Sequence, residues 1–283
     1  MTFVACLVRL VARSLGSVAV QLGRTANALN GLLPALLPPA QLNALTRNHY
    51  QKHLSRAPVR MNFELEPHDL QAWEDDMLTR YAAKPGLLLV MGCGFGREAI
   101  AIARRGFSVV GIDWNAAAVR AATAVATAED LPARFHLADY VKLPYAEAVF
   151  DYALLSATMY SVIPGMEQRQ AWLKDLRRVL KPDGFVLLSF ISIPLGRQPS
   201  RLGAIRRRFT RLLARVPGAN RSYQDGDECP QDHFFHFFRD EAELRQEMEG
   251  AGAVIRELNL NRNFAVLAYP PPGEPPVNEH DRH

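Results

Sequence analysis

The sequence predicts a doubly wound α/β fold, in which helices cover both faces of a mostly parallel sheet. An apolar run from Leu87 to Met91 is typical of a fully buried strand, and a glycine-rich turn follows it. A helical stretch from Arg97 to Arg105 and a second apolar strand, Phe107 to Ile112, come next, and that strand ends in Asp113. A carboxylate at this point can accept hydrogen bonds from a ribose diol. The pattern therefore predicts a site for a nucleoside cofactor.

The glycine turn alone fits two classes of cofactor. The dinucleotide fingerprint is G-x-G-x-x-G, whose third glycine packs the helix against the strand, but Arg97 stands where that glycine is required. The spelling Gly92-Cys93-Gly94-Phe95-Gly96 resembles motif I of the class I S-adenosylmethionine-dependent methyltransferases. Later motifs decide between the two classes.

Several later segments resemble that family in the same order. Residues 135–151 resemble its third and fourth signatures, with an aspartate after strand three, then Leu-Pro and Phe-Asp. Residues 172–190 resemble its helix, Pro-Asp-Gly turn and fifth strand, and a last helix precedes apolar strands at Val254–Leu258 and Phe264–Tyr269. Four ordered signatures are far more specific than one. The resemblance implies a Rossmann-like, seven-stranded, mostly parallel sheet with an antiparallel last strand, and S-adenosyl-L-methionine as cofactor.

The predicted cofactor contacts follow the first four strands. Asp113 is expected to hold the ribose hydroxyls, and by resemblance Asp139 would hydrogen-bond the adenine amino group. Strand four is expected over Tyr152 to Ser156. The full predicted set is Gly92, Cys93, Gly94, Gly96, Asp113, Trp114, Asn115, Asp139, Tyr140 and Ser156.

Composition agrees with one sizeable α/β domain that carries additions. The chain has 283 residues, of which 48% are hydrophobic and 22% charged. Three widely spaced cysteines favour a reducing compartment, so we expect a cytoplasmic protein without a disulfide framework. The histidines and cysteines show no metal-binding spacing. A net charge of +4 is too mild for a dedicated nucleic-acid binder.

A helical extension is predicted over residues 1–63, which contain no Asp or Glu. Residues 3–22 have helical periodicity with a narrow polar stripe that includes Arg9 and Arg13, and two arginines disfavour a membrane-spanning helix. Three alternatives remain: a cap over the core domain and its pocket, a helix on a membrane surface, or an organelle transit peptide. Asn43 to Met61 is expected to carry a helix and the entry to the core, and the resemblance offers Tyr50 or Arg60 as a residue that closes over the amino-acid end of the cofactor.

The methyltransferase-like domain is predicted over residues 64–270, with a basic lid inserted at 195–230 and a disordered, proline-rich tail at 271–283. Gly184 to Gln224 contains no acid and eight arginines, and apolar residues recur there at helical spacing. The lid arginines could meet an anionic substrate, contact a membrane or nucleic acid, or face solvent.

The sequence indicates less about the acceptor of the methyl group than about the cofactor site. After strand four the chain reads Ser156-Ala-Thr-Met-Tyr160, which departs from the Asn-Pro-Pro-Tyr of many amino-group methylases and leaves oxygen, sulfur, carbon or aliphatic nitrogen acceptors open. Candidate general bases are His233, His236 and Tyr160. A pocket built from Tyr160, Trp172, the phenylalanine run and the amphipathic additions would be strongly apolar, so we expect a hydrophobic or amphipathic small-molecule acceptor. Alternatives are a macromolecular methyltransferase that uses the arginine-rich lid, a nicotinamide oxidoreductase and a non-catalytic fold member.

Overall fold

The computed structural model describes residues 29–56, 69–82, 84–139, 141–193, 201–230 and 233–269, together with Gln21. The helices are α1 (Leu33–Leu36), α2 (Pro39–Arg56), α3 (Ala72–Tyr81), α4 (Arg97–Ala103), α5 (Ala116–Ala128), α6 (Met166–Val179), α7 (Arg201–Leu213) and α8 (Glu241–Gly250), with a 3-10 turn at Met159–Val162. The strands are β1 (Leu87–Met91), β2 (Ser108–Asp113), β3 (Ala133–Leu137), β4 (Phe150–Leu155), β5 (Leu180–Ser189), β6 (Ile191–Ser192), β7 (Asp227–Glu228), β8 (Phe235–Phe238), β9 (Val254–Asn259) and β10 (Phe264–Ala268).

Seven of these strands form the main sheet, in the order β3-β2-β1-β4-β5-β10-β9. β1 pairs in parallel with both β2 and β4, whereas β10 is antiparallel to β5 and to β9. The last strand of the chain is therefore the antiparallel one, and the predicted fold class is confirmed. The carboxyl ends of β1, β2 and β4 meet at one edge, where ligands bind in open α/β sheets.

The central strand β1 is apolar throughout because both of its faces are covered. Leu89 and Met91 belong to the core on the side of α6 and α8, while Leu88 and Val90 belong to the core on the side of α3 and α4. Neighbouring side chains point to opposite faces of a strand, so a strand buried on both sides reads as a continuous apolar run.

The predicted Pro-Asp-Gly turn lies within β5. Phe150 of β4 pairs with Leu180, but Tyr152 pairs with Phe185, so residues 181–184 form an excursion opposite a single residue, Asp151. The Asp151 carboxylate accepts the Leu87 N–H at 2.8 Å and pairs with Lys181 at 2.7 Å. Strand four begins at Phe150, two residues before the prediction, because Phe150 already pairs with Leu180 ahead of the excursion.

The additions pack on one another beside the sheet. Helix α2 begins at Pro39, four residues before the predicted helix start, and its Leu42 packs with Cys229 and Phe234. The Phe234 N–H donates to Thr46 Oγ1 at 3.1 Å. A small second sheet, in the order β6-β8-β7, follows β5. The predicted helix over 3–22 (apart from Gln21), Arg60, Tyr140 and the tail at 271–283 lie outside the described residues.

Candidate cofactor and acceptor site

The glycine loop between β1 and α4 is shaped by backbone angles that favour glycine. Gly92, Gly94 and Gly96 have φ of 63°, 50° and 88°, in the left-handed region. A Cβ on Gly94 would meet no atom within 4 Å, whereas a Cβ on Gly96 would lie 3.0 Å from Ala122 Cβ. Gly96 thus permits close packing against α5, while Gly94 presents bare backbone to open space. The bare backbone at Gly94 allows a ligand to approach more closely than a side chain would permit.

Asp113, at the end of β2, holds this loop through hydrogen bonds. Its Oδ2 accepts the Gly94 N–H at 2.9 Å, and its Oδ1 accepts the Asn115 N–H at 2.8 Å. Burial raises the pKa of Asp113 above its usual value, although N–H donors from Asn115, Gly94 and Trp114 act to lower it. Three N–H donors on about four acceptor positions leave the carboxylate capacity for a ribose hydroxyl.

Cys93 contributes its backbone to the loop and its side chain to the core. Its N–H donates to Ile112 O at 3.0 Å, and its side chain is buried. Burial raises the pKa of the Cys93 thiol well above its usual value, and Asp113 and Glu98 raise it further. A neutral, buried thiol has the environment of an inert structural cysteine.

The residues after β2 and β3 shape the side of the cleft. Asn115 caps α5, because its Oδ1 accepts the N–H of Ala117 at 2.9 Å and of Ala118 at 3.1 Å. Trp114 lines the cleft and also packs against the core.

Asp139 is held from two sides. One carboxylate oxygen accepts the Val141 N–H at 3.0 Å, and the other pairs with Arg47 of α2. The N-terminal extension thus contacts the acid that is expected to bind adenine, a contact that the sequence did not predict.

Ser156 lies behind the glycine loop in a buried network. It is 3% exposed, and its hydroxyl donates to the Glu74 carboxylate. Arg97 donates to Glu74 at 2.8 and 2.9 Å and to Ser156 Oγ at 3.3 Å. Sequence reasoning missed Glu74, which accepts the Gln71 N–H at 2.7 Å at the start of α3. Gln71 is not a usual N-cap residue, so the sequence carried no clear signal for this contact.

The backbone directly after β4 is strained. Ala157 and Thr158 have φ of 50° and 57°, and non-glycine residues rarely adopt this region. The Thr158 N–H donates to Ser189 Oγ at 2.7 Å, which helps to hold the conformation. Such strain clusters at functional sites, and here it precedes Met159, which faces the glycine loop. A Cβ on Gly92 would lie 3.1 Å from Met159 Cε.

A narrow cleft lies between α2, Trp114 and the 3-10 turn. Its volume is about 20 Å³, which is room for about one water molecule. Half of the lining comes from α2 and is polar or aromatic, and the rest is apolar: Asn43, Thr46, Arg47, Tyr50, Trp114, Val141, Met159 and Val162. Of the expected pocket, an addition to the core domain, α2, does line the cleft. Four other expected members lie in the core instead: Tyr160, Trp172, Phe234 and Phe238.

Two of the three candidate bases are buried and bonded to carboxylates within the protein. Tyr160 is fully buried and bonds to the Glu247 carboxylate, and His236 is fully buried with Nδ1 at 2.7 Å from Asp227 Oδ1. His233 is half-buried and stacks on His49, with ring centroids 4.1 Å apart. It also lies against Tyr50 of the cleft, at 5.9 Å between centroids.

Comparison with known proteins matches the central part of the chain to a family. Residues 89–188 match the family model described as a methyltransferase domain. This segment is therefore a methyltransferase domain, and the resemblance to class I S-adenosylmethionine-dependent methyltransferases is confirmed. S-adenosyl-L-methionine, the predicted cofactor, is the methyl donor that this family uses. No curated protein matches the chain.

Solved structures share the fold at low identity. A SAM-dependent methyltransferase from Methanosarcina mazei is 21% identical with a TM-score of 0.55, covering 72% of this chain and 100% of that one. The 1,6-didemethyltoxoflavin-N1-methyltransferase of Burkholderia thailandensis, solved with 1,6-didemethyltoxoflavin and S-adenosylhomocysteine, is 16% identical with a TM-score of 0.58, covering 82% and 89%. An S-adenosylmethionine-dependent methyltransferase from Clostridium acetobutylicum is 10% identical with a TM-score of 0.52, covering 80% and 99%.

Proposed function

We propose that the protein transfers a methyl group from S-adenosyl-L-methionine to an amphipathic small molecule bound beneath α2. One observation carries the proposal: the cleft adjoins the glycine loop through Met159 and combines polar groups of α2 with an apolar wall. The sequence predicted an apolar or amphipathic acceptor, and the lining by Asn43 and Arg47 favours the amphipathic one.

The cofactor site is proposed at the carboxyl ends of β1, β2 and β3. The backbone of Gly92, Cys93, Gly94 and Gly96, together with Asp113, Trp114, Asn115, Asp139 and Tyr140, would hold the nucleoside. Ser156 acts through Glu74 and Arg97 in this proposal, since its hydroxyl is bonded to the Glu74 carboxylate. The bound cofactor supplies a methyl group that is already activated on a sulfonium sulfur.

Helix α2 must shift for ligands of this size to enter. Pockets for small molecules and cofactors typically have about 300–1,000 Å³, far more than the cleft of about 20 Å³. At the adenine side α2 is held by the Arg47–Asp139 ion pair, whose side chains are 44% and 40% exposed. Exposed pairs contribute only about 0–1 kcal/mol, so this contact opposes opening weakly.

When α2 closes over bound ligands, the cleft residues position the acceptor and exclude water. Alignment of the reacting atoms can account for about 7–11 kcal/mol of a barrier. Met159 and Val162 would hold the apolar part of the acceptor, while Asn43 and Tyr50 would meet its polar part. For an acceptor atom that carries a proton, His233 would be the base, because it contacts Tyr50 of the cleft lining while His236 and Tyr160 are buried.

Methyl-labelled S-adenosylmethionine, offered with a panel of amphipathic small molecules, bulk RNA and bulk protein, tests the proposal. We expect label in a small molecule, and a KM for that acceptor at least tenfold higher in Met159→Ala. Met166→Ala is the matched control, because Met166 lies at the start of α6 and outside the cleft lining. Label in RNA or protein alone would contradict the proposal.

A further inference from the structure

Helix α7 carries an exposed apolar stripe on its outer side. Ile205, Phe209, Leu212 and Val216 are 65%, 53%, 61% and 48% exposed. They follow one another at intervals of four, three and four residues, which places them along one line of a helix and the turn that continues it. A line of four large apolar side chains facing solvent indicates a surface that binds another apolar surface.

The opposite side of α7 fixes the helix to the protein. Thr210 and Ala214 are buried, and ion pairs join Arg206 to Glu228 at 3.4 Å and Arg211 to Asp225. The helix therefore keeps its apolar stripe outward while its other face is packed.

Positive charge flanks the stripe. Arg208 and Arg215 are exposed and lie beside Leu212 on the helix surface, and neither forms an ion pair with a carboxylate within the described part of the chain. No acid occurs from Gly184 to Gln224. A partner of complementary chemistry would present an apolar layer beneath negative charge.

We propose that this outer face of α7, formed by Ile205, Phe209, Leu212 and Val216 with Arg208 and Arg215, docks on an anionic lipid bilayer. The apolar side chains enter the boundary between headgroups and acyl chains, and the arginines pair with the anionic headgroups. A nucleic acid offers phosphates to the arginines but no apolar layer to the central stripe. A second copy of the chain would bring the same arginines together and repel. No helix in the described ranges is long and apolar enough to cross a bilayer, and docking on the surface requires none.

Co-sedimentation of the full chain with phosphatidylcholine vesicles, with and without phosphatidylglycerol, tests the docking. We expect at least tenfold stronger binding to the anionic vesicles, weakened by added salt. Arg208→Gln/Arg215→Gln should reduce that binding by about 25-fold, since each basic residue near an anionic surface contributes about fivefold. Phe209→Ser/Leu212→Ser should reduce binding to both kinds of vesicle by at least tenfold.

Matched controls separate this face from general effects. Leu137 on β3 is 61% exposed, the same fraction as Leu212, so Leu137→Ser should leave binding unchanged. Arg120→Gln/Arg134→Gln removes two exposed arginines elsewhere and should weaken binding less than the α7 pair. Unchanged thermal unfolding midpoints would show that all four variants are folded.

Three results would overturn the proposal. The first is vesicle binding that both α7 variants leave intact, which would place the contact elsewhere, for example in residues 1–28. The second is binding to single-stranded RNA without binding to vesicles. The third is a concentration-dependent dimer that Phe209→Ser/Leu212→Ser abolishes while vesicle binding is absent.

Discussion

Replacement of Asp113 by asparagine tests the proposed cofactor site at one atom. The aspartate accepts the Gly94 N–H with Oδ2 and the Asn115 N–H with Oδ1. An asparagine of the same shape has one acceptor oxygen and one amide nitrogen, and the nitrogen cannot accept. One of the two backbone N–H groups therefore loses its partner in either orientation of the amide.

The expected magnitude follows from the burial of this group. Asp113 is 5% exposed, so water replaces the lost contact poorly, and a hydrogen bond to a charged group contributes about 1.5–3 kcal/mol. For a chain of this size, that loss lowers the unfolding midpoint by about 3–12 °C. The loss of a charged acceptor for a ribose diol should weaken the binding of S-adenosylhomocysteine by about 10- to 150-fold.

Isothermal titration with S-adenosylhomocysteine, together with thermal unfolding without ligand, measures both effects. Asp183→Asn is the matched control, because Asp183 is exposed on the excursion in β5 and should change neither value. A folded Asp113→Asn variant that binds S-adenosylhomocysteine as tightly as the parent chain would refute the ribose role.

Three further substitutions test other contacts in the protein. Arg47→Ala should tighten S-adenosylhomocysteine binding by up to about fivefold, because it frees Asp139 from an exposed ion pair. Weaker binding in the same titration would show instead that Arg47 helps to hold the cofactor. Glu74→Gln should lower the free energy of unfolding in urea by about 1–3 kcal/mol, because Arg97 and Ser156 lose a buried charged acceptor while Arg97 keeps Glu98. A change below about 0.5 kcal/mol would contradict this. Stability should decline as pH rises above about 6.5, and His236→Gln should make this decline smaller. If the unfolding midpoint of the variant depends on pH as in the parent chain, His236 is not the cause of the decline.

The sign of the pH effect follows from the surroundings of His236. Burial and Arg169 lower the pKa of the imidazole, but the carboxylates of Asp227 and Glu243 more than offset them, so its pKa is raised. The stabilisation is then complete below the unfolded pKa of about 6.5 and is lost as pH rises through the higher folded value. Burial acts to raise the pKa of Glu243, but His236 and Arg239 lower it to about 2. The contribution of Glu243 is therefore lost only as pH falls toward that value.

The sequence was sufficient for the sheet and the glycine loop because their signals are local. A doubly buried strand such as Leu87–Met91 must be apolar, and a turn with positive φ at Gly92 and Gly94 favours glycine. These constraints act over a few neighbouring residues, so one sequence displays them.

Contacts between distant segments could not be predicted from the sequence in the same way. The pairing of Arg47 with Asp139 joins residues 92 positions apart, and neither residue type carries a signal for its partner. Tyr160 and His236 have the side chains of catalytic bases, yet burial against Glu247 and Asp227 assigns them to the core. The lining of the cleft depends on how α2 packs, which no local pattern encodes.

A nucleoside sulfonium cofactor at the carboxyl ends of β1 and β2 is the central prediction, and thermal unfolding with added ligands tests it most directly. A ligand at a hundred times its dissociation constant stabilises the folded state by about 2.7 kcal/mol. We expect S-adenosylmethionine and S-adenosylhomocysteine to raise the unfolding midpoint by several degrees, and NAD(H) to leave it unchanged. A rise with NAD(H) alone, or with none of the three ligands, would contradict the central claim.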